Sequence, residues 1–528
     1  MKVLLLNPDS PVSFWSFRET CEFLGRKALN PPLSLMTVAA LLPTDWELRL
    51  RDLAARPLDQ ADMDWADLVM ISGMIVQREG VLDSIRQAKE RGKTVVVGGP
   101  YATSLSQEVL DAGCDFLVRG EGESTVPLLL QAMARGEKHG VFSSDNRPDM
   151  TESPIPRFDL INFDDYIALT VQTSRGCPFD CEFCDIVNLY GRKPRYKNPR
   201  QIVEELEAIY RLGWRQEVFI ADDNFIGSKA HARATLAELT PWMKAHGEPF
   251  TFWTQTSVNL GQDRELIDLM TEANISTVFL GIESPDEAVL ELNRKYQNIS
   301  HPLAQTIRTI GANGLNIVGS FVIGFDNEKP GAGRRICSFV EQTGIPIAAL
   351  HVLQVLPNTA LWERLKKEGR LLEDMTSGQT TGSVLNFVPS RPQAEIIAEF
   401  VGAWKELYEP ARQLARTYRF FLAMRPTRAA TSREKNQSNT GAAPGLAVPH
   451  RNHLQNVIYF LHLAWKHGIR SSYRFQYWKQ LFGMLWKNPS RFVKYLGVCE
   501  LGTNMTKLLE VIRTRMTIGE TDQPSKKS

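Results

Sequence analysis

Cysteine is scarce in this chain, seven among 528 residues, and basic and acidic side chains nearly cancel, 61 against 60. So few cysteines exclude the disulfide framework of a secreted scaffold. A net charge of +1 leaves no whole-chain electrostatic argument for nucleic acid. Apolar runs are short: the opening Met1-Lys-Val-Leu-Leu-Leu6 stops at Asn7-Pro-Asp9, too brief for a signal peptide or a membrane span, and no later stretch is uninterrupted enough to cross a bilayer. A cytoplasmic protein of two or three domains is expected, because 528 residues exceed what one core supports. Carboxylates vanish between Arg451 and Cys499, which sets that segment apart.

The cysteine that is present is concentrated. Three of the seven lie in Thr173-Ser-Arg-Gly-Cys177-Pro-Phe-Asp-Cys181-Glu-Phe-Cys184-Asp185, spaced C-x3-C-x2-C, after the apolar run Ile167–Val171, which reads as a strand entering a loop. Cys114 and Cys337 read as packing residues. Three thiolates on one loop can hold a soft metal centre. Zinc would need a fourth protein ligand, and no Cys or His follows at the usual short distance; a structural zinc, or three cysteines simply packed, stays open as an alternative. A [4Fe-4S] cluster ordinarily takes four cysteines, so three leave one iron open to a small molecule. This spacing, with Phe183 just before the last cysteine, resembles the signature of the radical S-adenosylmethionine (SAM) superfamily. The resemblance implies that Cys177, Cys181 and Cys184 are the cluster ligands, that Phe183 lies at the SAM site, and that an electron from the cluster cleaves SAM to methionine and a 5′-deoxyadenosyl radical.

Upstream, strand and helix patterns alternate. Strands are expected at Val3–Asn7, Glu47–Asp52, Leu68–Ser72, Thr94–Gly98 and Phe116–Arg119, with helices at Leu33–Leu42, Gly80–Arg91, Ser104–Ala112 and Ser124–Ala134. That order predicts a doubly wound parallel sheet that binds ligands outside the carboxyl ends of its strands. Asn7, Ser72, Gly98-Gly99-Pro100 and Gly120-Glu121-Gly122-Glu123 would then line one crevice, the glycines letting a broad flat ligand approach backbone. A V-x-G-G-P strand end followed by G-E-x-E, ahead of the cysteine motif, resembles the cobalamin-binding domain of B12-dependent radical SAM enzymes. The resemblance implies cobalamin contacts at Asn7, Ser72, Gly98, Gly99, Gly120 and Glu121. One departure stands out: Asp52-Leu-Ala54-Ala-Arg-Pro57 occupies the place of D-x-H-x-x-G, and Ala54 cannot ligate cobalt.

Downstream, strands are expected at Ala168–Thr173, Glu217–Ala221, Thr251–Thr256, Thr277–Ile282, Asn316–Ile323 and Ala348–Leu353, separated by helical patterns. Six such units suit a partial (β/α)6 barrel with its reacting centre at the strands' carboxyl ends. There the resemblance implies SAM contacts: Asp222 and Asp223 for the ammonium, Glu283 for ribose or amino group, and backbone near Gly324 for adenine. Ser257 and Asn259 fit a turn equally well, and His351 reads as a core histidine.

The fold class expected is thus α/β: a doubly wound Rossmann-like cobalamin-binding domain (1–142), a linker (143–165), a partial radical SAM barrel (166–375) and a helical C-terminal region. The last divides into an extension (376–424), a mobile linker (425–450), basic and aromatic helices (451–516) and a disordered tail (517–528). In 451–499, Lys466, Arg470, Arg474, Lys479 and Lys487 alternate with Trp465, Tyr473, Phe475, Trp478, Phe482 and Trp486. Such interleaving fits either an anionic membrane surface or a helical hairpin with its aromatics packed inward, and no nucleic-acid module accompanies it. The whole order resembles a bacterial family of B12-binding radical SAM proteins that includes the hopanoid C-2 methylases. It implies methylation of an unactivated carbon, with a small-molecule, lipid-like substrate and a flavodoxin or ferredoxin as electron donor; peripheral contact with the inner membrane would follow from the basic and aromatic helices. Alternatives are a cobalamin-dependent radical cyclase and a non-catalytic iron–sulfur or zinc scaffold.

Overall fold

Leu4 and Leu6 point to one side of the first strand and Val3 and Leu5 to the other, and all four are fully buried. A strand so apolar on both faces belongs inside a parallel sheet covered on both sides. The computed structural model, which describes residues 1–144, 146–372, 385–431 and 453–521, bears this out. β1 (Lys2–Asn7), β2 (Glu47–Asp52), β3 (Leu68–Ser72), β4 (Thr94–Gly98), β5 (Phe116–Arg119) and β6 (Gly140–Ser143) form one sheet in the order β2-β1-β3-β4-β5-β6. The order reverses between β1 and β3, which puts a crevice at Asn7 and Ser72. Val81, Ile85 and Ala88 of the helix Arg78–Glu90 pack on the Leu4 face, and Leu35, Met36 and Ala39 of the helix Leu33–Leu41 on the Val3 face. β6 falls outside the expected strand set because its four residues carry no apolar run; it runs one residue past the expected boundary at 142.

β7 (Ala168–Val171) opens the second sheet. A small antiparallel ribbon, β8 (Ser174–Arg175) with β9 (Arg195–Tyr196), follows it. β10 (Glu217–Ile220), β11 (Thr251–Thr256), β12 (Ile275–Glu283), β13 (Asn316–Ile323) and β14 (Ile347–Val352) complete a parallel sheet in the order β14-β13-β12-β11-β10-β7. Neighbours in space are thus neighbours among the sheet's strands in sequence, each joined through a helix, and β7 and β14 do not pair: the partial barrel expected.

The outer edge of β14 does not end in water. Tyr408 Oη donates to Ala348 O at 2.6 Å and accepts from Ala348 N at 3.1 Å, and Trp404 Nε1 donates to Leu350 O at 3.3 Å. Both side chains come from the end of the helix Gln393–Leu407, so the C-terminal extension satisfies a strand edge that would otherwise be bare. The helix Pro410–Ala423 buries Arg416 entirely, with Nε on Ile345 O at 2.8 Å and Nη1 on Glu341 at 2.7 Å. The helices His453–Gly468, Arg474–Lys487 and Phe492–Thr521 follow. The last continues into the stretch expected to be a disordered tail, of which 522–528 lie outside the described residues, as do the boundary at 375 and most of the expected linker 425–450.

Candidate active site

The cysteine loop is positioned from beneath by one carboxylate. Asp222, fully buried at the end of β10, accepts from Thr173 N (2.7 Å), Ser174 N (3.0 Å), Ser174 Oγ (2.8 Å) and Thr173 Oγ. With four donors converging on it, Asp222 is an anchor for the loop and is not available to a SAM ammonium, which corrects that expectation. Burial raises its pKa above the ordinary value despite those donors. Asp223 beside it accepts only from Gly176 N, at 2.7 Å, among the described residues. Burial, with Asp222 and Asp185 nearby, pushes it up to about 7. Gly176 itself sits at φ 96°, and a Cβ there would lie 2.9 Å from Gly191 O, so the loop closes on itself only with glycine at this crossing.

Between the second and third cysteines the loop is sewn to the far end of the barrel. Glu182 N donates to Asn293 O (3.1 Å), Leu361 N donates to Glu182 O (2.9 Å), and Arg364 grips the Glu182 carboxylate at 2.7 and 3.1 Å. Gln297 Nε2 donates to Cys181 Sγ at 3.5 Å. Lys295 pairs with Glu283 at 2.9 Å and lies 5.7 Å above the Phe183 ring. Burial opposes the charge on Lys295, but Glu283, Cys181 and Cys184 outweigh it and hold its pKa above the ordinary lysine value. Glu283 adopts φ 65°, and Gly281 leaves room for the pair, since a Cβ there would fall 2.6 Å from Glu283 Oε1. Lys295 and Gln297 were not among the expected site residues. Their only trace in the sequence is the polar run Asn293-Arg-Lys-Tyr-Gln-Asn298 directly after a helix.

Cys177, Cys181 and Cys184 are each partly reachable, and burial pushes the Cys177 and Cys184 thiols up from their ordinary value. A metal centre would therefore displace protons on binding. Among the described residues no three His, Cys, Asp or Glu side chains are gathered tightly around a single ion; the fit to a cluster rests on the donor set, three reachable thiols on one anchored loop. Gly324, expected at the adenine, is engaged elsewhere: its N–H donates to Glu328 at 2.8 Å, and Leu353, Leu385 and Ile396 face its open side. Ser257 and Asn259 join Asn224 in a hydrogen-bonded chain at the rim, with Ser257 Oγ donating to Asn259 Oδ1 at 2.6 Å.

In the first sheet the crevice floor is a polar lattice. Asn7 Nδ2 donates to Asp52 Oδ1 (2.8 Å), Gln77 Nε2 donates to Asn7 Oδ1 (3.2 Å), and Tyr166 Oη donates to Asp52 Oδ2 (3.1 Å). Gly99, at φ 89°, crosses Ser72 so closely that a Cβ would meet Ser72 Oγ at 2.5 Å. Gly98 and Gly120 open on either side of the next turn, and a Cβ on Gly120 would meet nothing within 4 Å. Gly99 and Gly120, both at positive φ, leave these strand ends without side chains, which suits the close approach of a broad macrocycle.

Glu121 does not line that crevice. Its carboxylate accepts from Arg175 Nη1 (2.7 Å) and from Arg195 Nη2 (2.6 Å) and Nη1 (3.1 Å), while Glu123 takes Arg175 at 2.8 and 2.9 Å. The G-E-G-E turn is thus a clamp: the first domain grips the residue two before Cys177 and the ribbon beside it. The helix Gly99–Ser104 also packs on the helix Ile186–Tyr190 that follows the third cysteine, so the two strand-end rims face each other. Burial works against the charge on Glu123, but Arg175 holds its carboxyl down at about 2. A depressed carboxylate stabilises the fold fully above its unfolded value of 4.5, and that contribution drains as pH falls toward 2. Denaturation midpoints followed across that window are expected to fall steeply in the parent protein and less steeply in Glu123→Gln.

Three family models match consecutive stretches of the chain: B12 binding domain over residues 26–130, Radical SAM superfamily over 171–339, and a domain of unknown function, DUF4070, over 359–517. An uncharacterized methyltransferase of Synechocystis sp. is 45% identical over 523 residues, 98% of this chain and 94% of the relative. The hopanoid C-2 methylase of Rhodopseudomonas palustris is 33% identical over 484 residues, 90% and 88% of the two chains. Among solved structures, OxsB with aqua-cobalamin and SAM bound superposes with a TM-score of 0.56 at 16% identity, over 99% of this chain and 82% of that one. TsrM from Kitasatospora setae, with cobalamin and a [4Fe-4S] cluster bound, gives 0.56 at 14%, over 96% and 99%; both share the fold. Alike along nearly its whole length to enzymes that move methyl groups, the chain belongs to the cobalamin-dependent radical SAM methyltransferases and works with a [4Fe-4S] cluster, S-adenosylmethionine and cobalamin.

Proposed function

We propose that this methyltransferase acts on an unactivated carbon of an apolar polycyclic lipid of the hopanoid kind, as a peripheral protein at a membrane surface. The observation that carries the substrate class is the barrel's concave face. Phe219 and Trp253 stack there at 3.8 Å, Trp15 lies 4.7 Å from Phe279, and Phe14 lies 6.3 Å from His351. Phe219, Trp253 and Phe279 are only half-buried although they sit on central strands, so their rings wall a space suited to a flat apolar body. Burial lowers the His351 pKa to about 4, which leaves a neutral imidazole on that wall. The likeness to a hopanoid C-2 methylase supports the same class.

When bound, the cluster supplies the electron, SAM the radical and the methyl, and cobalamin the methyl's last carrier. Cys177, Cys181 and Cys184 hold the cluster, with Gln297 donating to one thiolate. Asp223, Glu283 and Lys295, with Phe183 beside them, present charge and a ring face to SAM, whose ammonium and carboxylate need partners of opposite sign. Asn7, Ser72, Gly98, Gly99 and Gly120 floor the cobalamin crevice. The Glu121/Glu123 clamp fixes crevice and cluster loop to each other, so that a substrate between them meets both. A flavodoxin or ferredoxin delivers the electron. Incubating the reconstituted enzyme with methyl-labelled SAM and detergent-dispersed hopanoid is expected to label the lipid. Label that enters only polar acceptors, or no acceptor after gene deletion leaves the lipid profile unchanged, would sink this proposal.

A further inference from the structure

The C-terminal helices sort their aromatic residues into two sets. On the helix Arg474–Lys487 the inner face is Tyr477, Leu481 and Met484, all buried, at the three- and four-residue spacing of a packed stripe. Core packing therefore does not require Phe475, Phe482 and Trp486, which stand on the outer face with exposures of 77%, 61% and 88%. On the helix His453–Gly468 and at the residue after it, Leu461, Trp465 and Ile469 repeat at intervals of four and are more than half exposed. The two outer faces are joined: Trp478 Nε1 donates to Gly468 O at 2.9 Å, and the Trp478 ring stacks on Phe482 at 5.7 Å. The junction depends on Gly468, where a Cβ would lie 2.7 Å from the Trp478 ring. A joined apolar surface of this kind on a soluble protein marks a place of contact.

Charge selects the occupant. Arg470, Arg474, Lys479 and Lys487 are exposed around these rings, and Arg474 lies over Phe475 at 5.0 Å. No Asp or Glu occurs between Arg451 and Cys499, and Glu500 just beyond is buried against Lys466 and His467. A second copy docked face to face would bring these cations together with no carboxylate of the patch to answer them. No described helix is long and apolar enough to cross a membrane. We propose that this face seats on an anionic bilayer, with Trp465, Phe475, Phe482 and Trp486 at the headgroup–acyl boundary and the four cations on lipid phosphates. This deepens the membrane part of the function proposed above, and its test makes no use of methyl transfer.

Full-length reconstituted protein is mixed with vesicles of phosphatidylcholine, with or without phosphatidylglycerol, and floated on a density gradient. The parent protein is expected to float with the anionic vesicles and stay behind with the neutral ones. Phe475→Ser/Trp486→Ser is expected to lower binding at least about tenfold with an unchanged thermal midpoint, since these two rings stand outside the packed face. Lys479→Glu/Lys487→Glu is expected to remove the preference for anionic lipid. Flotation that neither variant alters, no flotation of the parent, or a dimer in solution that the serine variant splits overturns the docking surface. Labelled hopanoid alongside absent flotation would strike the docking surface alone, and flotation without labelled lipid would strike the substrate alone.

Discussion

Arg175→Met is expected to destabilise the protein by about 3–5 kcal/mol and to abolish methyl transfer. The first effect follows from burial: Arg175 is the shared partner of Glu121 and Glu123, whose side chains are almost wholly enclosed, and removing one side of a buried ion pair leaves charge with nothing to face. Arg195 still neutralises Glu121, but Glu123 is left without a cation among the described residues and keeps Ser153 Oγ at 2.8 Å and a backbone N–H. The second follows from position, because Arg175 is both the strand residue of the ribbon and the lead-in to Cys177. Chemical denaturation reads stability and methyl-labelled SAM reads turnover. The double variant Arg175→Met/Glu123→Gln separates the two: with the orphaned charge gone, stability is expected to recover while turnover stays lost. If Arg175→Met melts and turns over like the parent, the clamp has no such role.

Asp222→Ala is expected to prevent the cluster from loading. Four donors on Thr173 and Ser174 lose their acceptor at once, and each buried donor left unmet costs about 1–3 kcal/mol. The loop that presents the cysteines would no longer be held. Asp222→Asn, which still accepts at one oxygen, is expected to keep most of the iron. Asp223→Asn should load iron normally and instead raise the KM for SAM, because Asp223 answers to a single backbone donor and has an oxygen left for a ligand. Iron content and the visible absorbance of the reconstituted variants, with 5′-deoxyadenosine release against SAM concentration, distinguish the two aspartates. Equal loss of iron in both would return Asp222 and Asp223 to a single role.

Much of the scaffold is legible in the chain because both sheets are parallel and covered, so their strands appear as unbroken apolar runs with a polar residue or glycine at the end. Leu68–Ser72 and Thr94–Gly98 can be bounded to the residue on that signal, and Glu47–Asp52 and Thr251–Thr256 on the alternation of their apolar residues. β6 could not, being an edge strand of alternating exposure. The family was legible in three cysteines and a glycine turn, and relatives named as methyltransferases along nearly the whole chain do not favour the cyclase and scaffold alternatives. The division of labour among acidic residues was not legible. Asp222 and Asp223 are adjacent and chemically alike, and only the path of the loop above them makes one an anchor. Glu121 sits in a cobalamin-type motif, yet its partners are 54 and 74 residues away; sequence proximity to a ligand-binding turn says nothing about which way a carboxylate faces. The aromatic helices were ambiguous for the same reason, and the fold divides them between a packed face and a bare one.

The hydroxyl of Tyr408 and the indole of Trp404 on the last barrel strand bear on how the polypeptide can be subdivided. A fragment trimmed back to the barrel would display a raw row of peptide groups along β14, ready to recruit the same row on another fragment. Barrel and carboxyl-terminal helices are therefore one folding unit, and an expression boundary drawn between them would yield aggregates in place of a smaller enzyme.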